Sequence, residues 1–193
     1  MPREICNTCL RPPSVCYCSA LVYITNTIKV LIIQHPLEEK HPFNTGYMAT
    51  LCLNNSELII TETLSESALD KIFKKKSALL YPSLEWLPKT EEINSSKFAA
   101  SARIEQLVVI DANWRKSKKI LHLHPRLQHL PRVNLTGNLQ SNYTVRKTSI
   151  DNGLSTIESI IKASNMLEAT DKFEPMLKPF ERMIALQQQH HSV

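Results

Sequence analysis

Glycine is scarce in this 193-residue sequence, which contains only Gly46, Gly137 and Gly153. Neither the GxGxxG fingerprint nor a GxxxxGKS/T loop can be written, which argues against a Rossmann dinucleotide site and a P-loop. The sequence also lacks HExxH, GxSxG and the HxE-with-CxxC pattern of zinc deaminases. The sequence therefore contains none of these usual motifs of metal-dependent hydrolysis and acyl transfer, which disfavours both classes of reaction.

Long apolar runs are missing as well. No stretch approaches the roughly 20 apolar residues that span a bilayer, and the N-terminus is polar and cysteine-bearing where a signal peptide would be apolar. We therefore expect a cytoplasmic protein without a membrane partner. The length suits one α/β domain with a small appendage.

Cations are unevenly distributed along the chain, whose formal net charge is +5. Two dense clusters, at 71–76 and 115–119, favour a polyanionic partner such as RNA. The alternative is a solvated lysine-rich face. The candidate RNA contacts are Lys74, Lys75, Lys76, Arg115, Lys116, Lys118 and Lys119.

Four of the five cysteines lie close together near the N-terminus, as a CxxC pair followed by a CxC pair: Cys6, Cys9, Cys16 and Cys18. In a reducing compartment this spacing favours a tetrahedral zinc site over disulfides. A redox role is less favoured because no strand–helix unit flanks the CxxC pair. We predict a zinc-binding module at 1–25 and a main domain at 26–193, with Cys52 buried and unliganded.

Apolar segments alternate between strand and helix periodicity. Strands are predicted at 28–33, 58–61, 78–81, 107–110 and 130–135, and helices at 47–53, at 65–73, from 115, from 155, and at 172–189 with an interruption near Pro175 and Pro179. This alternation indicates an α/β fold with a mostly parallel sheet. Residues 85–103 have no clear period and are expected to form a surface loop.

The most informative segment is the turn from Asp111 to Trp114, which ends an apolar strand and begins the most basic helix. An acid at the carboxyl end of a parallel strand is where open α/β sheets place their chemistry. In the structural alternative Asp111 only caps the helix and Trp114 is only core. We interpret His35 and Glu38, on either side of Pro36, as hydrogen bonders that orient a loop.

Taken in order, several segments resemble the DTW-domain family, the tRNA-uridine aminocarboxypropyltransferases. They are the cysteine pattern, Gln34-His35-Pro36-x-Glu38 with Asn44-Thr45-Gly46, Tyr81-Pro82-Ser83, Asp111-Ala112-Asn113-Trp114, and Arg146 with Leu154-Ser155-Thr156-Ile157-Glu158. The family signature usually has threonine where this sequence has Asn113. Asparagine keeps a hydrogen-bond acceptor, so we expect activity to be unchanged or attenuated.

The resemblance implies a SPOUT-like knotted core, with helices on both faces of the sheet, that binds S-adenosylmethionine. It implies transfer of the 3-amino-3-carboxypropyl group to N3 of a tRNA uridine, in the variable loop, with release of methylthioadenosine. Asp111 is the expected base for the N3 proton, either directly or through a water that it orders. Zinc is expected to be structural or to contact tRNA, and not to be catalytic. Cofactor contacts are expected at Leu80, Tyr81, Pro82, Ser83, Asp111, Trp114, Leu130, Pro131, Arg146, Leu154, Ser155 and Thr156.

Two other functions remain open at this stage. One is a SPOUT-like RNA methyltransferase that uses the same cofactor, and the other is a non-catalytic zinc-containing RNA-binding protein. The sequence also leaves open whether the protein is a monomer or a homodimer.

Overall fold

The protein is built around a six-stranded sheet in which every pair of neighbouring strands is parallel. The structure is a computed structural model that describes residues 4–94, 104–135 and 154–191. The strands are β1 (Lys29–Gln34), β2 (Ser56–Ile60), β3 (Ser77–Leu80), β4 (Glu92–Ile93), β5 (Gln106–Asp111) and β6 (Arg132–Val133). Their order, β2-β1-β5-β3-β6-β4, places β5 between β1 and β3. The predicted parallel α/β sheet is confirmed.

Helices cover both faces of this sheet. They are α1 (Pro36–Glu39), α2 (Thr45–Cys52), α3 (Glu66–Phe73), α4 (Trp114–Leu123), α5 (Thr156–Glu168) and α6 (Leu177–His191). Leu107 and Val109 of β5 belong to the hydrophobic cluster that includes α2, α5 and α6, whereas Val108 belongs to the cluster with α3 and α4. Because both faces of β5 are covered, its residues 107–110 are all apolar rather than alternating with polar ones.

Several element boundaries differ from the predictions by one or two residues and α1 was not predicted, and three other differences are described here. The segment expected to be only a loop contains β4, which pairs with β6. The strand predicted at 130–135 is shortened to Arg132–Val133, and the backbone of Pro131 still accepts a hydrogen bond from Leu79 N. At the C-terminus a 3₁₀ turn, Glu174–Met176, precedes α6, so Pro179 lies in the first turn of α6, where its missing N–H has no partner to lose.

The cysteine-rich segment packs onto the main domain. Tyr17 is fully buried in the same hydrophobic cluster as α2 and α6. Arg11 Nη2 donates to His41 O at 2.8 Å, and Tyr47 Oη donates to Thr8 O at 2.9 Å. The division of the chain at residue 25 stays a prediction.

Among the described residues, no helix is long and apolar enough to cross a membrane.

The knotted SPOUT-like core stays a prediction. The connection from β6 to α5 includes residues 136–153, which lie outside the described residues.

Candidate active site and metal centre

Asp111 lies at the carboxyl edge of the sheet, where it ends β5 in register with Gln34, the last residue of β1. Its side chain is buried, with 7% of the residue exposed. Gln34 Nε2 donates to Oδ2 at 2.6 Å, and Thr156 Oγ1 donates to Oδ1 at 2.5 Å. Three separate parts of the chain therefore meet at one carboxylate.

The first turn of α2 approaches this carboxylate closely. A Cβ atom at Gly46 would lie 2.8 Å from Cγ of Asp111, which is too close for any residue but glycine. Asn44 caps α2 by accepting from Tyr47 N at 2.9 Å, and the same Oδ1 accepts from Gln34 Nε2 at 2.7 Å. The amide of Gln34 thus connects the helix cap to Asp111.

The N-terminus of α5 also lies beside Asp111, because Thr156, which donates to Asp111, is the first residue of the helix. Ser155 caps the helix and forms the predicted capping box with Glu158, whose carboxylate accepts from Ser155 N at 2.8 Å. Unpaired N–H groups and the helix dipole favour negative charge at a helix N-terminus. A carboxylate between the first turns of α2 and α5 therefore suits its surroundings.

The turn from Asp111 to Trp114 contradicts the alternative in which Asp111 only caps the helix and Trp114 is only a core residue. Asn113, and not Asp111, caps α4 by accepting from Lys116 N at 3.0 Å. Trp114 is 41% exposed, so it is not a core residue. Its ring meets Tyr81 edge-on at a centroid distance of 5.6 Å, and the Tyr81 hydroxyl pairs with Ser117 Oγ at 3.0 Å. Burial raises the pKa of Tyr81.

The four N-terminal cysteines converge, with all their sulfur atoms within 4.8 Å of one another. The Cys6–Cys18 and Cys9–Cys16 sulfur pairs are each 3.6 Å apart. Four ligands at a Zn–S distance of ~2.3 Å in a tetrahedron would have sulfurs about 3.8 Å apart, so the cluster can hold a metal ion such as zinc. Backbone N–H groups of Cys9 and Thr8 lower the pKa of Cys6 to about 6, whereas burial raises the pKa of Cys9 and of Cys18.

Comparison with known proteins identifies the family. A model of the DTW domain matches residues 3–188. The chain belongs to the DTW-domain family. Among its relatives is tRNA-uridine aminocarboxypropyltransferase 2 of Drosophila melanogaster, which is 29% identical over 195 residues, or 96% of this chain and 75% of the relative.

Two more relatives carry similar names. The Macaca fascicularis tRNA-uridine aminocarboxypropyltransferase 2 is 29% identical over 199 residues, and the chain spans 65% of its length. The Arabidopsis thaliana tRNA-uridine aminocarboxypropyltransferase A is 26% identical over 137 residues, which cover 62% of this chain and 50% of the relative. No solved structure matches the chain.

Within the DTW domain, the structure brings together several of the residues predicted to bind the cofactor. Thr156 contacts Asp111, Leu154 and Ser155 precede Thr156, and Tyr81 contacts Trp114. Leu80 pairs with Val109, two residues before Asp111. Pro82 and Ser83 follow β3, and the Ser83 hydroxyl donates to Glu92.

Other predicted cofactor contacts lie elsewhere. Leu130 and Pro131 precede β6 and line a cavity of about 380 Å³ together with Lys75, Lys76 and Ser77, at the amino ends of the strands. Arg146 lies outside the described residues. The assignment of all these residues to the cofactor stays a prediction.

The seven cations predicted to contact RNA separate into groups. Lys74 to Lys76 lie between α3 and β3, at the amino edge of the sheet. Arg115, Lys116 and Lys119 line a cavity of about 450 Å³ at the opposite edge, near Asp111. Lys118 points elsewhere, with Nζ 5.1 Å from the centre of the Trp86 ring. Their contacts with RNA stay predictions.

Sequence reasoning missed Gln34 and Gly46 as site residues. A buried amide at the last position of an apolar strand is the signal that would have indicated Gln34, since a buried polar group needs partners. The interpretation of His35 is confirmed, because His35 Nδ1 accepts from Leu37 N at 3.1 Å. Its second partner, Glu62 at 3.0 Å, is far away in sequence and no local pattern indicates it.

Proposed function

We propose that this chain is a tRNA-uridine aminocarboxypropyltransferase that uses S-adenosylmethionine as its donor. Membership of the DTW-domain family and the names of its relatives support this class of reaction. The structural observation that carries the proposal is the buried Asp111 carboxylate, held at the carboxyl edge of a parallel sheet by Gln34 and Thr156. Open α/β sheets bind their ligands at this edge.

The residues at this edge fit such a donor. S-adenosylmethionine carries a positive sulfonium and an ammonium group, and Asp111 offers a buried negative charge of the opposite sign. Trp114, Tyr81 and the first turn of α5 would complete the binding surface. When bound, the donor supplies a carbon whose bond to sulfur breaks with both electrons passing to sulfur, so the by-product is methylthioadenosine.

Asp111 is the group to which we assign the proton transfer. Uridine N3 carries a proton and becomes a nucleophile as that proton leaves, so the N3–carbon bond forms while the proton passes to the carboxylate. An ionised carboxylate offers about four acceptor positions. The hydrogen bonds from Gln34 and Thr156 orient the Asp111 carboxylate at this edge of the sheet.

The remaining parts of the proposal concern the protein as a whole. Zinc bound by the four cysteines would stabilise the N-terminal segment against α6 and the rest of the core. The main domain would have a SPOUT-like knotted core, and the protein would act on tRNA in the cytoplasm. We assign the target uridine to the variable loop on the strength of the family resemblance.

Analysis of the small-molecule by-product tests this function. Purified protein is incubated with unmodified tRNA and S-adenosylmethionine, and methylthioadenosine is expected in amounts equal to the modified uridine. S-adenosylhomocysteine would instead show methyl transfer. Neither product, in the presence of bound tRNA, would show a non-catalytic RNA-binding protein.

A further inference from the structure

A cavity lies beside the proposed reaction site, on the side of α1. It has a volume of about 450 Å³ and is lined by His35, Pro36, Leu37, Glu62, Arg115, Lys116 and Lys119. The cavity adjoins the site because His35, which lines it, donates from its backbone N to Asp111 O at 3.0 Å. The volume lies in the range of small-ligand sites.

The charged groups of this cavity do not balance. Lys119 Nζ is 2.8 Å from Glu62 Oε2, and His35 Nε2 is 3.0 Å from Glu62 Oε1. Because His35 Nδ1 accepts from Leu37 N, the proton of a neutral ring lies on Nε2 and is donated to Glu62. The hydrogen bonds from Lys119 and His35 lower the pKa of Glu62, so it is ionised at neutral pH.

Arg115 and Lys116 provide the excess of positive charge. Within residues 4–94, 104–135 and 154–191, neither cation forms an ion pair, whereas Lys119 has Glu62 as its partner. Three cations therefore face one carboxylate. A cavity with this excess suits an anion, and a guanidinium beside ammonium groups is the arrangement that recognises phosphate oxygens.

We propose that this cavity binds a phosphodiester of the RNA strand next to the target uridine, through Arg115, Lys116 and Lys119. The proposal rests on the proposed function, because it takes the nucleotide at Asp111 to be a uridine within RNA. Leu37 is 68% exposed and lies with Pro36 on the cavity wall, where the two offer an apolar surface for the adjoining ribose.

Glu62 competes with the phosphate on this account. A phosphodiester that binds Lys119 must share the ammonium group with the Glu62 carboxylate, at the cost of repulsion between the two anions. Removing the charge at Glu62 should therefore strengthen RNA binding. Of the three proposed phosphate-binding cations, Glu62 forms an ion pair with Lys119. This gain distinguishes a phosphate site from a surface on which Glu62 only holds Lys119 in place.

The test compares Lys119→Ala with Lys162→Ala, a matched change at an exposed lysine of α5 on the opposite face of the sheet. Binding of unmodified tRNA is measured at several salt concentrations without the donor. Lys119→Ala should raise Kd several-fold and reduce the salt slope by about 0.7–0.9, the value for one lost phosphate contact. Lys162→Ala should leave both within experimental error, and Glu62→Gln should lower Kd.

Equal effects of the two lysine changes, or weaker binding by Glu62→Gln, would overturn the cavity assignment. All three residues are on the surface, so circular dichroism and Tm can establish that each variant is folded. The two proposals fail separately. If Lys119→Ala leaves tRNA binding unchanged while methylthioadenosine forms normally, the cavity assignment alone is refuted. If Lys119→Ala weakens tRNA binding but the protein forms no methylthioadenosine, the transfer reaction alone is refuted.

Discussion

The substitution Asp111→Asn removes the negative charge of the Asp111 carboxylate and preserves the shape and the hydrogen bonds of the side chain. The side chain does not cap α4, since Asn113 does so. After the substitution, the amide oxygen can still accept from Gln34, and the amide nitrogen can donate to the Thr156 hydroxyl, which accepts as readily as it donates. The variant should keep its shape and lose only the negative charge.

The expected effects on stability and on activity differ widely in size. Two charge-assisted hydrogen bonds, 2.6 and 2.5 Å long, become neutral ones of about half the strength, a loss of about 1–3 kcal/mol in the free energy of unfolding. Each kcal/mol corresponds to about 2–4 °C in Tm for a chain of this size. Loss of a general base should slow transfer by roughly two to four orders of magnitude.

Single-turnover formation of methylthioadenosine, with tRNA and S-adenosylmethionine both saturating, measures the chemical step. Calorimetry with each ligand shows whether the variant still binds them. The residual rate of Asp111→Asn should rise with pH more steeply than the wild-type rate, because alkaline solution removes the N3 proton without help from the protein. A folded variant that binds both ligands and transfers within tenfold of the wild-type rate would refute the assignment of Asp111 as base.

Three further substitutions test the surroundings of the site and the metal centre. Gly46→Ala should displace the adjacent carboxylate, lower stability by about 1–3 kcal/mol and reduce transfer at least tenfold; normal transfer in this variant would contradict the observed close approach. Asn113→Thr should change stability by less than about 0.5 kcal/mol, whereas Asn113→Ala should cost about 1 kcal/mol in thermal unfolding, and equal Tm values would disprove the cap. We expect metal analysis to find one equivalent of zinc in the parent and in Cys52→Ala, which lies outside the cluster, and to find none in Cys16→Ser. Zinc retained by Cys16→Ser would contradict the four-thiol site.

Local patterns in the sequence were enough to predict most of the sheet. The strand that became β5 is a continuous apolar run, and such a run indicates a strand covered on both faces. The two-residue strand β4 was not predicted, because Glu92 and Ile93 are too few to show a period and are held by pairing with β6. The cysteine cluster was predictable since its spacing alone brings four thiols together.

The candidate site was only partly predictable, for two physical reasons. Asp111 and Asn113 are equally good N-cap residues two positions apart, so sequence alone could not tell which one caps α4. The partners of Asp111 and His35 come from distant segments, namely Thr156 in one case and Glu62 in the other. Such contacts depend on how the helices pack, which no local pattern reports.

Transfer of two differently labelled donors to tRNA tests the central claim most directly. One preparation of S-adenosylmethionine carries its label in the carboxyl carbon of the amino acid, and the other carries it in the methyl group. We predict that the carboxyl label enters tRNA in amounts equal to the modified uridine, that the methyl label stays in methylthioadenosine, and that Asp111→Asn slows the first process. Entry of the methyl label into tRNA, with the carboxyl label left in the small-molecule fraction, would contradict it.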